Sequence, residues 1–148
     1  MKKKQIRSFY PTKDNTKESW VVYDAGGQVL GRAASEIASL VLGKYLPEYT
    51  PGGDNRQFVI VINASKVMVT GKKMTDKMYY RHSGYPGGLK ATSLRHLMEK
   101  KPTEALRKAV NGMLPHNSYG RNLQSKVFYY ANDAHRHEAQ QPTHFTKG

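Results

Sequence analysis

The residues most suited to chemistry lie in one stretch, residues 67–90, which reads VMVTGKKMTDKMYYRHSGYPGGLK. It combines cations, tyrosines and glycines with a single acid, Asp76. Cations neutralise phosphates, tyrosine rings stack on bases or sugars, and glycines let a bulky partner approach the backbone. The pattern favours a nucleic-acid contact surface over an idle solvated loop, and it predicts that one of Tyr79 and Tyr80 points inward and the other outward. The candidate contacts are Lys72, Lys73, Lys77, Tyr80, Arg81, His82, Tyr85 and Lys90.

Histidines near the end of the chain form a second group. His135 and His137 are separated by one residue, so they could converge on a metal ion from a strand, but the nearby Asp133 and Glu138 are generic surface acids. The pattern favours histidines that hydrogen-bond to phosphate, sugar or solvent. We therefore predict no metal site and count His135 and His137 among the candidate nucleic-acid contacts.

A glycine-rich turn at residues 26–31, GGQVLG, lies between a predicted strand and a predicted helix, where a dinucleotide-binding loop would be found. Gln28 occupies a position that needs glycine, and the P-loop lysine is missing. The pattern favours a tight turn with Arg32 near the helix start. Arg32 is then either a phosphate contact or a solvated cation.

The sequence contains no recognisable set of catalytic groups. Asp24 and Asp54 stand at a strand end and in a glycine-containing loop, but Asp24 can order the Gly26 turn and Asp54 can order the loop before the next strand. His82 and Ser83 are adjacent, yet no acid is placed to orient the histidine. We predict no catalytic residue, no cofactor and no small-molecule substrate.

Charge and composition limit the kinds of molecule that this chain could bind. Lysines and arginines number 24 against 11 acids, a formal charge of +13 with a pI near 9.9, which favours a polyanionic partner. The absence of cysteine excludes disulfides, zinc ribbons and thiol catalysis, and it fits a reducing, intracellular compartment. The longest apolar run, residues 58–62, is far shorter than the ~20 residues of a membrane span. We expect a soluble chain without a membrane partner.

The elements that must position these residues begin with a strand–helix–strand pattern. Residues 20–24, WVVYD, predict a strand, and helical spacing of apolar residues from Leu30 predicts a helix that ends at Gly43. The run FVIVI at residues 58–62 is typical of a strand covered on both faces of a parallel sheet. The pattern therefore predicts an α/β fold.

The later elements are shorter. We predict a strand at 67–70 and a strand or extended segment at 77–81. A helix capped by Thr92 or Ser93 should end before Pro102, and a second helix should run from Thr103 to near Pro115. A last strand is predicted at 127–130. The length of 148 residues suits one domain. We divide the chain into a basic N-terminal arm (1–19), an α/β domain (20–133) that carries the candidate nucleic-acid contacts, and an extended C-terminal tail (134–148).

Four ordered blocks and a tail motif carry a family resemblance. They are WVVYDAGGQVLGRAAS at 20–35, INASKVMVTGKK at 62–73, KMYYRHSGYPGGLK at 77–90, AVNGMLPHN at 109–117 and H-x-H-x-A-Q-x-P at 135–142. The chain resembles the bacterial-type ribosomal protein family numbered thirteen in the large subunit. The resemblance implies a compact three-layer α/β/α domain with a small, mainly parallel sheet of about four strands. It also implies a cytoplasmic protein that is not an enzyme, binds large-subunit ribosomal RNA beside neighbouring ribosomal proteins, and joins early in subunit assembly.

The resemblance also assigns residues. The family's basic block maps onto Lys72, Lys73, Lys77, Arg81, His82 and Lys90, and its helix-opening arginine maps onto Arg32. In the G-M-L-P block, we expect Met113 and Leu114 to close a helix into the core, with Arg121 following on the exposed side. Two rival classes remain open: a nucleotide-using or RNA-processing enzyme with an α/β fold, and a DNA-associated structural protein.

Overall fold

A four-stranded parallel sheet forms the centre of the fold, with strand order β5-β2-β1-β6. The structure is a computed structural model that describes residues 8–12 and 14–146. Its strands and helices, in chain order, are β1 (Ser19–Asp24), α1 (Leu30–Val41), β2 (Gln57–Ile62), α2 (Lys73–Asp76), β3 (Met78–His82), β4 (Leu89–Ser93), α3 (Leu94–Lys100), α4 (Glu104–Met113), α5 (Ser118–Ser125), β5 (Val127–Tyr129) and β6 (Thr143–His144). The predicted single α/β domain with a small parallel sheet is confirmed.

Strand β2 lies inside the sheet between β1 and β5. Its register with β1 runs from Ser19 opposite Gln57 to Asp24 opposite Ile62. Val59, Ile60 and Val61 have no exposed surface, because neighbouring strands flank them and both faces of the sheet are covered. An uninterrupted apolar run is the sequence pattern that such a strand requires.

Helices α1 and α4 pack on each other over one face of the sheet. Helix α1 presents Ala33, Ala34 and Ile37 to the core, and the small alanines allow its backbone to approach β2 closely. The predicted stop at Gly43 is confirmed: this residue has φ +76°, and a Cβ at this position would lie 2.5 Å from Nδ2 of Asn55. Glycine is therefore required both for the turn and for the close contact.

Aromatic rings and the C-terminal segment cover the other face. Trp20 stacks on Phe58 and on His137, with ring centroids 4.4 and 5.2 Å apart, and Phe128 lies 4.5 Å from His137. Strand β6 then pairs with β1, so that Val21 faces Thr143. Part of the segment predicted as an extended tail therefore joins the sheet.

A second, two-stranded antiparallel sheet is formed by β3 and β4, outside the parallel sheet. Ser93 ends β4 and caps α3, since its Oγ accepts a hydrogen bond from the His96 amide at 3.4 Å. Helix α3 packs on α4, and α4 packs on α1. This chain of contacts fixes the hairpin to the core.

The structure corrects two expectations. Residues 67–70 do not form a strand, because Met68 makes only an isolated parallel bridge to Val29, and the chain enters α1 directly after Val29. Leu114 is buried as expected, but the expectation for Met113 is wrong, because this residue is 46% exposed. Helices α2 and α5 and strands β4 and β6 were not predicted from the sequence.

Part of the predicted basic arm, including Lys2, Lys3, Lys4, Arg7 and Lys13, lies outside the described residues. Among the helices that the structure describes, none is long and apolar enough to cross a membrane.

Candidate nucleic-acid interface

Two cations oppose each other across the β3–β4 hairpin. The antiparallel register places Arg81 directly opposite Lys90, and both residues are exposed. Residues that face each other in this way have Cβ atoms about 4.5–5.5 Å apart, and like charges there destabilise the pair. A phosphate placed between or above the two side chains would remove that repulsion.

The paired tyrosines have different roles, as the sequence predicted. Tyr80 is 68% exposed, whereas Tyr79 is half-buried. The ammonium groups of Lys77 and Lys108 lie 5.5 and 4.9 Å from the centre of the Tyr79 ring, and burial raises the pKa of Tyr79. Tyr79 therefore supports cations through cation–π contacts, while Tyr80 can offer its ring to a partner.

The loop at the tip of the hairpin is held by its own hydrogen bonds. The Gly88 amide donates to the Tyr85 carbonyl at 2.9 Å, and the Gly84 amide donates to Nδ1 of His82 at 2.9 Å. His82 thus orders the loop through Nδ1, which leaves Nε2 for a ligand. Tyr85 is 75% exposed on this ordered loop.

Helix α2 adds exposed lysines beside the hairpin. Lys72 caps the helix, Lys73 begins it, and Lys77 follows it. The Lys77 carbonyl accepts a hydrogen bond from the Leu94 amide at 2.9 Å, which joins the entrance of the hairpin to α3. All three lysine side chains face solvent.

The segment 72–108 concentrates the charge of the protein. It holds ten lysines and arginines against three acids, a net +7 of the total +13. Lys100 ends α3, Lys101 follows it and Lys108 lies on α4, and all three border the hairpin. They are not among the contacts predicted from the sequence. The lysine pair at 100–101, before Pro102, was the signal that could have identified them.

The remaining predicted residues are not gathered at the hairpin. Arg32 is exposed in the first turn of α1, and Arg121 is exposed on α5, as expected. His137 belongs to the aromatic cluster under the sheet, and its Nε2 is buried without a hydrogen-bond partner among the described residues. His135 lies beside it, and its Nδ1 accepts from the His137 amide at 3.3 Å.

The two acids singled out from the sequence have the predicted structural roles. Oδ1 of Asp24 accepts from the Gly26 amide at 2.9 Å and from Asn63 at 3.0 Å. Asp54 accepts from the Arg56 amide at 2.9 Å and pairs with Lys126. Burial alone would raise the pKa of Asp54, but these hydrogen bonds lower it below its usual value. Within the described ranges, no cluster of three or more metal-ligating side chains occurs.

These features define a class: a basic α/β protein whose hairpin and adjoining helices present cations and free aromatic rings suited to phosphate and base contacts. Comparison with known proteins identifies the family. The family model described as Ribosomal protein L13 matches residues 18–136. The chain belongs to this family, and the resemblance seen in the sequence blocks is confirmed.

Relatives named large ribosomal subunit protein uL13 match nearly the whole chain. The protein of Carboxydothermus hydrogenoformans is 53% identical over 138 residues, which are 93% of this chain and 96% of the relative. That of Syntrophus aciditrophicus is 50% identical over 137 residues, with the same coverage. That of Symbiobacterium thermophilum is 47% identical over 136 residues, covering 92% and 95% of the two chains.

Proposed function

We propose that this protein is a structural constituent of the large ribosomal subunit in the cytoplasm, where it binds large-subunit ribosomal RNA beside neighbouring ribosomal proteins and supports early subunit assembly. Membership of the Ribosomal protein L13 family over residues 18–136 is the observation that carries this proposal. The family is one of ribosomal proteins rather than enzymes.

The physical basis is a rigid core that holds a cationic surface against folded RNA. The parallel sheet and helices α1 and α4 fix α3, and α3 fixes α2 and the hairpin. Phosphate contacts supply affinity, and the shape of the surface supplies specificity. The contacts that we propose on this surface are Lys72, Lys73, Lys77, Tyr80, Arg81, His82, Tyr85 and Lys90.

Arg32, Arg121, His135 and His137 are proposed as further contacts at separate places on the molecule. Arg32 and Arg121 are exposed, which suits phosphate binding. His137 can act only if its ring edge is reached, since its ring packs against Trp20 and Phe128. In this proposal the N-terminal arm (1–19) and the C-terminal tail (134–148) also contact the RNA.

Sedimentation of cell extract tests the assignment to the subunit. The tagged protein should comigrate with large subunits on a sucrose gradient and remain bound after a wash at moderate salt. Cosedimentation with chromosomal DNA instead would support a DNA-associated protein. A thermal shift on addition of ATP, GTP or a nicotinamide cofactor would support a nucleotide-using enzyme.

A salt titration tests the electrostatic part. If about six phosphates are contacted in duplex-like RNA, the logarithm of the rRNA affinity should fall against the logarithm of salt concentration with a slope near −5. Affinity that is independent of salt would refute phosphate neutralisation as the source of binding.

Alanine replacement of Lys72, Lys73 and Lys77 together tests the surface. All three side chains are exposed, so the variant should keep its melting temperature but bind rRNA more weakly. The slope of the logarithm of affinity against the logarithm of salt concentration should become shallower by about 2.7, since each of three contacts contributes about 0.9. The control replaces exposed Lys44 and Lys66, which lie outside the hairpin and its adjoining helices. Equal losses per charge in the two variants would show that net charge, and not this surface, directs binding.

A further inference from the structure

A groove runs between the β3–β4 hairpin and the two helices that follow it. Its volume is about 330 Å³, within the range of sites that hold small ligands. Strand β3 contributes Tyr80 and Arg81, and helix α4 contributes Glu104 and Lys108. The end of α3 and the residue after it contribute Lys100 and Lys101.

The charge of this groove is unbalanced. Four cations, Arg81, Lys100, Lys101 and Lys108, line it with Glu104 as the one carboxylate. In the part of the chain that the structure describes, none of the four forms an ion pair with a carboxylate. Clustered like charges without counterions repel one another. The uncompensated positive charge therefore makes the groove suited to binding phosphates.

The two tyrosines at the groove have different roles: Tyr79 packs against lysines, and Tyr80 is available to a ligand. Lys77 and Lys108 lie over the Tyr79 ring, so cations already occupy that ring. Tyr80 follows Tyr79 in β3, so its ring points to the opposite face of the hairpin; Tyr80 borders the same groove and is 68% exposed. A nucleotide strand that crosses β3 can stack a base on the Tyr80 ring while its flanking phosphates reach the cations on the groove side.

A base inside a duplex cannot stack on a protein ring, because it is already stacked between its neighbours. Unpaired loop and bulge nucleotides can be splayed out and held on aromatic side chains. We propose that this groove binds an unpaired nucleotide of RNA, with its base on Tyr80 and its phosphates held by Arg81, Lys100 and Lys101. The inference rests on the proposed ribosomal RNA-binding function and names the kind of RNA structure bound at this place.

Replacement of Tyr80 separates base stacking from general charge. The probes are a single-stranded RNA of about ten nucleotides and the same strand annealed to its complement. Tyr80→Ala should weaken binding of the single strand about 5- to 150-fold and change duplex binding less than about twofold. Tyr80→Phe keeps the ring and should bind as the unchanged protein does. Equal effects of Tyr80→Ala on both probes, or no effect on the single strand, would overturn the proposal.

Replacement of the two lysines tests the phosphate contacts. The double variant Lys100→Ala and Lys101→Ala should reduce the salt slope for the single strand by about 1.4, since each phosphate contact contributes about 0.7. The matched control, Lys44→Ala with Lys66→Ala, should leave the slope unchanged. An equal reduction in the control would overturn the assignment of these contacts to the groove.

Crosslinking locates the nucleotide directly. A single strand that carries 4-thiouridine should crosslink within residues 79–108 on irradiation, and Tyr80→Ala should abolish that crosslink. Crosslinks confined to other peptides would overturn the groove assignment while leaving rRNA binding intact. Failure of the unchanged protein to bind either probe or whole rRNA would instead refute the proposed function itself.

Discussion

The half-buried ion pair between Lys126 and Asp54 leads to a prediction about stability. Lys126 follows α5 and precedes β5, and only 9% of its side chain is exposed. Its ammonium donates to Asp54 and lies 5.7 Å from the centre of the Phe58 ring. The pair thus ties the loop before β2 to the end of α5.

Lys126→Met removes the charge and keeps an unbranched apolar side chain over Phe58. A hydrogen bond between charged groups contributes about 1.5–3 kcal/mol, and the Asp54 side chain is 40% exposed, so solvent reduces its share. We expect a loss of about 2 kcal/mol in the free energy of unfolding at pH 7. For a chain of this size, that lowers the melting temperature by about 4–8 °C.

Urea unfolding followed by circular dichroism, repeated from pH 7 to pH 2, measures this loss. The folded-state pKa of Asp54 lies below its ordinary value of 3.8, so the stabilisation is present above that pH and is lost as the pH falls through the folded-state pKa. The deficit of Lys126→Met should therefore shrink below about pH 4. A deficit under about 0.5 kcal/mol at pH 7, or one that persists unchanged at pH 2, would refute the reasoning. The Asp54→Asn variant and the double variant complete a thermodynamic cycle, which should show coupling of about 1–2 kcal/mol.

Two further predictions concern packing and a buried hydroxyl. A Cβ on Gly120 would lie 1.7 Å from the Pro115 carbonyl oxygen, so Gly120→Ala should destabilise by about 1–3 kcal/mol or more in urea unfolding. Gly112→Ala is the control, because Gly112 lies in α4 with open space around it. This change should stabilise the protein by about 0.5–1 kcal/mol. Equal effects of the two changes would contradict the steric argument. The buried Tyr129 hydroxyl has no hydrogen-bond partner among the described residues, and burial raises its pKa, so Tyr129→Phe should match or exceed the unchanged protein by up to about 1 kcal/mol at pH 7. It should also lose less stability above pH 10, because the raised folded-state pKa of Tyr129 makes the unchanged protein less stable as the pH rises through that range. A loss of more than about 1 kcal/mol at pH 7 would show that the Tyr129 hydroxyl forms a stabilising hydrogen bond and would contradict the prediction.

Local patterns in the sequence were sufficient for the elements with strong periodicity. Helix α1 occupies the predicted positions from Leu30, and β2 differs from the predicted strand only by Gln57 at its start. Helix α5 escaped prediction because SYGRNLQS contains only Tyr119 and Leu123 as large apolar residues. Strand β6 has two residues, and only the neighbouring edge of β1 makes it a strand.

The sequence by itself determined the α/β class, the excess of positive charge, the family and the cationic stretch at 72–90, because composition and local periodicity are properties of the chain alone. The tertiary structure decided which of these residues act together. Pairing of β3 with β4 placed Arg81 opposite Lys90, and packing of α3 on α4 brought Lys100 and Lys108 to the groove at Tyr80. Ring contacts with Trp20 and Phe128 placed His137 against the parallel sheet and not on the β3–β4 hairpin. Contacts between residues distant in the chain depend on packing of whole elements, and no local pattern specifies them.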